Sequence, residues 1–133
     1  MNIIGKAKVT DAEIGKLRIA VGWDHDAGTY DRVLKGVHTY FVVRDKEKLI
    51  GFVSVISDGT ADAFLVDLMV HPDYQNQGLG KELVQRAVKY SKLIGVQCVH
   101  VTFNREEEEF YKKCGFHIFG GGIIDFKTMN VKL

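Results

Sequence analysis

Residues 75 to 80 read QNQGLG, two glycines one residue apart between an apolar run and a helix-forming stretch that opens on Lys81. Glycine carries no Cβ, so backbone amides beside Gly78 and Gly80 can approach a ligand closely. The first amides of a helix are also unsatisfied and lie at its positive end. Such a junction can cradle a pyrophosphate. It can equally serve as a tight turn that binds nothing, and spacing alone leaves both readings open. Two nucleotide patterns are excluded: Leu83 stands where a dinucleotide fingerprint needs its third glycine, and the P-loop pattern Gly-x-x-x-x-Gly-Lys-Ser/Thr is absent. Cys98 and Cys114 are too few for a disulfide framework and lack metal-ligand spacing, so they read as buried thiols of a reducing, cytoplasmic compartment. His25, His38, His71, His100 and His117 show no metal-like clustering, so no metal is expected.

Composition narrows the partners. A formal net charge of +1, with Lys and Arg spread along the chain, supplies no basic stripe for a phosphate backbone, and no nucleic acid is expected. No apolar run reaches the ~18 residues of a membrane span, and the N-terminal MNIIGKAKVTDAEIG is too polar for a signal peptide. The expectation is a soluble chain without a membrane partner. With 133 residues and 46% hydrophobic content, one domain, 1–133, can enclose a single core. A homodimer stays open.

The elements that must position the junction follow from pattern. Thr10 with Glu13 forms a capping box before IGKLRIAV, and Gly22 is a stop, predicting a helix over Asp11 to Val21. GWDHDAGTYD is a loop, and a short helix covers Asp31 to Lys35. HTYFVVR, LIGFVSVIS and ADAFLVDLMV have the β-branched and aromatic content of strands, and the turns DKEK and SDGT join them as an antiparallel meander. Leu79, Leu83, Ala87, Val88 and Ser91 recur at helical intervals as far as Ile94 and Gly95. VQCVHVTF is a strand joined through that helix, so it is parallel to the third strand of the meander. Asn104 with Glu107 predicts a second capped helix over Arg105 to Cys114, and FHIFG and DFKTMNVKL read as closing strands. The fold class is α/β, an α+β mixed sheet that is antiparallel at first and parallel in its centre, with flanking helices.

QNQGLG matches Q/R-x-x-G-x-G/A, the signature of the GNAT superfamily of acyl-CoA N-acyltransferases, which this sequence resembles. DLMVHPDY is similar to the strand and loop preceding that signature. NREEEEFYKKCGF resembles the family's second motif, Asn, six residues, Tyr, then x-x-x-G-F. VGWD, TYD and FVSVISDG resemble small bacterial-type members, so the likeness spans nearly the whole chain.

The resemblance implies acetyl-CoA as acyl-donor cosubstrate and direct transfer of its acetyl group to a primary amine of a small molecule. A protein amine as acceptor, or a CoA-binding sensor without turnover, are the alternatives. Gln75, Asn76, Gln77, Gly78, Leu79 and Gly80 would offer amides to the pyrophosphate, with Lys81 adding charge. Leu68, Met69 and Val70 would pair through their backbone with the pantetheine arm on a splayed strand. Asn104 would contact the cofactor, although capping alone also accounts for it. Tyr111 would lie near the sulfur, where a phenol of ordinary pKa, about 10, stays protonated and can donate to the departing thiolate; packing beside Phe110 is the plain alternative. Asp67 is either a strand-end hydrogen-bonding residue or an anchor or base for the amine. Phe64 stands where some members carry a glutamate base, which makes a water relay the other route for the proton. Glu106 to Glu109 form a solvated face. Trp23, Tyr30 and Asp67 would bind the acceptor, with Asp24, Asp26 and Asp31 nearby to favour a cationic amine with an apolar or aromatic body; loop anchoring and turn capping explain the same residues without a ligand.

Overall fold

The computed structural model describes all 133 residues as two compact units, Met1–Val101 and Thr102–Leu133. In the first, five strands lie in the order in which they occur: β1 (Ile3–Gly5), β2 (Thr39–Asp45), β3 (Lys48–Ser57), β4 (Asp62–Val70) and β5 (Cys98–Val101). The first three pairings are antiparallel and β4 with β5 is parallel. This is the predicted mixed sheet. The parallel step follows from the connection, since two parallel neighbours need a crossover long enough to hold a helix.

The helix starts obey the local signals. α1 (Asp11–Ala20) opens on a capping box in which Thr10 Oγ1 accepts from the Glu13 amide at 3.1 Å and Glu13 Oε1 accepts from the Thr10 amide at 3.0 Å, a device worth about 1 kcal/mol. The Glu13 carboxylate is also gripped by Arg44 of β2, whose Nη2 donates to Oε1 at 3.1 Å and to the Lys8 carbonyl at 2.9 Å. Ile14 and Leu17 of α1 are 0% and 1% exposed and meet Tyr30, Val42, Leu49, Phe52 and Met69. Burying such side chains contributes about 1.5–3 kcal/mol each. Tyr30 belongs to α2 (Thr29–Gly36).

α3 (Leu79–Leu93) buries Leu79, Leu83, Val84, Ala87 and Ser91 against β3 and β4. At Gly51 an added Cβ would stand 3.0 Å from a Leu83 methyl, so the helix approaches β3 closely where glycine leaves room. β3 is therefore buried on both faces along most of its length, which accounts for its largely apolar run, broken by the buried Ser54.

Three expectations are corrected and one strand is added. β1 pairs with β2 from Ile3↔Val43 to Gly5↔Phe41, a strand too short to show periodicity. FHIFG and DFKTMNVKL form no strand: beyond the turn at Cys114–Gly115 that closes the last helix, the chain has a turn at Asp125, whose carbonyl accepts from Thr128 and Met129. Alternation marks faces, but a strand also needs a partner edge. The second capped helix is a 3₁₀ turn, Arg105–Glu107, followed by α4 (Glu108–Lys113), and the Asn104 side chain makes no capping bond. The Glu107 amide that it would cap donates to the Asn104 carbonyl at 2.9 Å instead. Cys98 is exposed and Cys114 half-buried rather than sealed in a core, because β5 is the last strand of the sheet. No helix is long and apolar enough to cross a membrane.

Candidate functional site

The site begins with a fault in β4. Its pairing with β3 runs Phe52↔Met69 and then Ser54↔Val66, so Asp67 and Leu68 face the single residue Val53. This is a β-bulge, which bends the bulged strand and re-aims its side chains. Asp67 takes the left-handed conformation, φ +58°, at a cost of about 1–2 kcal/mol for a non-glycine residue. Pairing with β5 ends at Leu65↔Val101. From Val66 to Val70 no strand pairs with that side of β4, and its backbone is an open edge except at the Val70 carbonyl, which accepts from a side chain. Along this segment Met69 is 1% exposed and lies in the core, while Leu68 and Val70 are half-buried. The Met69 side chain is therefore closed to a ligand.

The cradle follows directly. The His71 amide donates to the Ile50 carbonyl at 2.8 Å and a 3₁₀ turn, Pro72–Tyr74, reverses the chain. Gln75 folds back so that its Nε2 donates to the Val70 carbonyl at 2.9 Å. Asn76 and Gly78 both have positive φ, +62° and +84°. Gly78 is the N-cap of α3 and supplies no side-chain bond to the helix start. The leading amides of Leu79, Gly80 and Lys81 are those that a helix leaves without internal partners. An added Cβ on Gly78 would meet nothing within 4 Å, so the space over these amides is open. Asn76, Gln77, Gly78 and Lys81 are exposed. Left-handed backbone beside an uncapped helix start is the geometry of an anion nest.

Across β4 a side-chain network gathers at Arg18, which sequence reasoning missed. Arg18 Nη1 donates to the Tyr30 hydroxyl oxygen at 2.9 Å, and that hydroxyl donates to Asp67 Oδ2 at 2.7 Å. Arg18 Nη1 also lies 3.5 Å from Asp67 Oδ1, and Nε donates to the Asp24 carbonyl at 2.6 Å. The guanidinium stacks 5.2 Å above the Trp23 ring. Trp23, Tyr30 and Asp67 are thus brought together, but not as three ligand-facing groups. Tyr30 is 3% exposed and offers no open face; burial, and then its bond to Asp67, raise its pKa well above the usual range for tyrosine. Trp23 is 39% exposed, with Arg18 on one face of the indole. The carboxylate of Asp11 fastens the loop beneath, accepting from the amides of Gly28 and Tyr30 at 2.8 Å each and lying 3.1 Å from His25 Nε2. Those backbone bonds, foremost that of Gly28, lower the Asp11 pKa. No local signal marks Arg18, whose partner Asp67 is far along the chain.

In the second unit Tyr111 is 4% exposed. It stacks on Phe103 at 5.0 Å and meets Phe110 and Phe116 edge-on. Burial chiefly, then the charges of Glu107 and Cys114, push its pKa well above the ordinary value. The ring is therefore a neutral phenol, and its hydroxyl makes no hydrogen bond within the protein. Asn104 is exposed with an uncommitted side chain. Lys112 pairs with Glu108 at 3.5 Å and Glu109 at 3.3 Å, so the acidic run is in part an ion-paired surface.

A model of the acetyltransferase (GNAT) domain matches residues 36–118, well over half of the 133-residue chain. The chain belongs to the GNAT family. The span that matches holds β4, the cradle, Asn104 and Tyr111, whereas Arg18, Trp23 and Tyr30 precede it. This GNAT domain superposes on a probable acetyltransferase of unknown function from meticillin-resistant Staphylococcus aureus with a TM-score of 0.82 at 26% identity, covering 94% of this chain and 100% of that one. A GNAT family acetyltransferase from Streptococcus pneumoniae gives a TM-score of 0.79 at 26% identity, over 94% and 98% of the two chains. An uncharacterized N-acetyltransferase, ycf52, of Gracilaria tenuistipitata var. liui is 35% identical over 77 residues, 57% of this chain and 42% of the relative. The GNAT domain thus spans less than half the length of this curated relative.

Proposed function

We propose that this GNAT domain is an N-acetyltransferase that moves the acetyl group of acetyl-CoA directly to a primary amine of a small molecule. The observation that carries the reading is the continuity of the bulged, half-unpaired β4 with the uncapped start of α3. The open edge offers amides and carbonyls that a pantetheine arm can pair with in place of a missing strand, and the amides from Asn76 to Lys81 offer an anion nest for the pyrophosphate, that of Gln75 being taken by the Pro72 carbonyl. The exposed amide of Asn104 supplies a further cofactor contact.

In the reaction the neutral amine attacks the thioester carbonyl carbon, a C–N bond forms and the C–S bond breaks. Amides of the splayed strand stabilise the developing oxyanion. Tyr111, a phenol held neutral by burial and free of internal hydrogen bonds, gives its proton to the departing thiolate. Both oxygens of Asp67 are already engaged, by Tyr30 and Arg18. Asp67 therefore orients the acceptor, and an ordered water takes the proton that the amine loses. The exposed part of Trp23 gives the acceptor's apolar body a surface, while a cationic head competes with Arg18 for Asp67. Two free thiols suit a reducing cytoplasm.

Calorimetry with acetyl-CoA, CoA and ATP, followed by a screen of amines read as free thiol, tests the reading. Binding of both CoA species but not ATP, with thiol release for one class of small amine, is expected. CoA binding with no thiol release from any small amine or peptide N-terminus would establish a sensor, and preference for ATP would remove the cradle.

A further inference from the structure

Away from the transfer site, the parallel ladder brings three metal-ligating side chains together. Its register sets Asp62 opposite Cys98 and Phe64 opposite His100. Residues two apart on a strand share a face, so Cys98 and His100 lie on one side of β5 with Asp62 and Phe64 beside them on β4. Asp62 Oδ1 is 2.8 Å from His100 Nε2. One carboxylate oxygen, one imidazole nitrogen and the Cys98 sulfur all lie within 4.8 Å of one another. The Phe64 ring stacks on the imidazole at 4.5 Å and 15° and limits its rotation. No spacing rule reveals the group, because its members are drawn from two strands joined through α3.

We propose that Asp62, Cys98 and His100 bind a thiophilic divalent cation of the zinc class, with water completing the shell. Thiolate, imidazole and carboxylate together are the donor set that zinc takes, and hard cations such as magnesium disfavour sulfur and nitrogen. Ligand distances of about 2.0–2.3 Å in a tetrahedron put donor atoms about 3.3–3.8 Å apart. The acid–imidazole contact must open slightly, and the three side chains, none of them buried, can adjust by rotamer changes. Binding exchanges the Cys98 thiol proton for the metal and is favoured as pH rises. The cation would bridge β4 to β5 where their short ladder begins. That end lies about 16 Å along β4 from the bulge at Asp67, taking about 3.3 Å per residue, so loading can be followed without reference to acetyl transfer.

Cobalt(II), titrated into the reduced full chain, is the probe. One equivalent should bind with a near-ultraviolet thiolate-to-cobalt charge-transfer band and the visible bands of a four-coordinate centre, and zinc should abolish both. Cys98→Ser should remove the charge-transfer band, His100→Ala and Asp62→Asn should weaken cobalt binding by about tenfold or more, and Cys114→Ser should change nothing. Zinc should raise the Tm of the wild type and not that of Cys98→Ser. No charge-transfer band in the wild type at large cobalt excess, or a band that survives Cys98→Ser, overturns the proposal and leaves Asp62 and His100 as a surface hydrogen-bonded pair beside an inert thiol.

Discussion

The two sides of β4 are built from different materials. On one side, the open strand edge and the start of α3 present backbone groups, and side-chain identity matters mainly where the left-handed conformation at Gly78 demands glycine. On the other, Arg18, Tyr30, Asp67 and Trp23 form a side-chain network in which each member's place depends on the next. A backbone site tolerates drift in sequence and binds whatever carries the same anion and amides. A side-chain site changes its ligand when one residue changes. The GNAT family model covers the first side and Asp67 but not Arg18, Trp23 or Tyr30.

The largest effect should come from Gly78→Glu, which places a side chain and a negative charge in the nest. CoA affinity should fall beyond calorimetric detection while the far-ultraviolet spectrum is kept, because a Cβ at Gly78 meets nothing within 4 Å. Gly78→Ala carries the same backbone strain, about 1–2 kcal/mol, without the charge, and should lose far less affinity. Equal losses in the two variants would show that strain, not the anion site, is what matters.

Next is Tyr111→Phe. Turnover should fall roughly 10- to 1,000-fold with acetyl-CoA affinity nearly unchanged. Wild-type turnover would assign Tyr111 to the aromatic cluster with Phe103, Phe110 and Phe116.

Arg18→Ala breaks the side-chain half alone. It leaves the Tyr30–Asp67 hydrogen bond but removes the cation beside it and uncovers a Trp23 face, so stability should drop by about 1–3 kcal/mol. The acceptor kcat/KM should fall about tenfold and the dissociation constant for CoA should hold. A variant that loses both equally would merge the two halves into one site.

The smallest effect concerns the Glu13 carboxylate that anchors α1. Its hydrogen-bonded pair with Arg44, aided by the Thr10 cap, lowers its pKa from 4.5 to about 2. The folded pKa is depressed, so the stabilisation is present above about pH 4.5 and fades as pH falls toward 2. Glu13→Gln should therefore cost about 1 kcal/mol at pH 7, after allowance for solvent screening of a partly exposed pair, and nothing near pH 2. Thermal unfolding at both values tests this. A cost that persists at low pH would mean that the cap, not the ion pair, does the anchoring.

Local chemistry was enough to read several features from the sequence: the Thr10–Glu13 capping box, the three-strand meander, the apolar stripe from Leu79 to Ser91, and the glycine junction at its head. Each depends on residues within a few positions of one another, where steric limits and hydrogen-bond needs act before any tertiary contact forms. The closing strands predicted over FHIFG and DFKTMNVKL failed because alternation cannot supply a partner edge. Asn104 failed as a side-chain cap because a 3₁₀ turn took the amide that it would have bonded. Only the folded chain decided that Asp67 lies in a bulge at positive φ, that Arg18 reaches it together with Tyr30 and Trp23, and that Asp62, Cys98 and His100 meet across β4 and β5. Sheet register and the packing of α1 set those meetings, and both are properties of contacts between residues far apart in the chain.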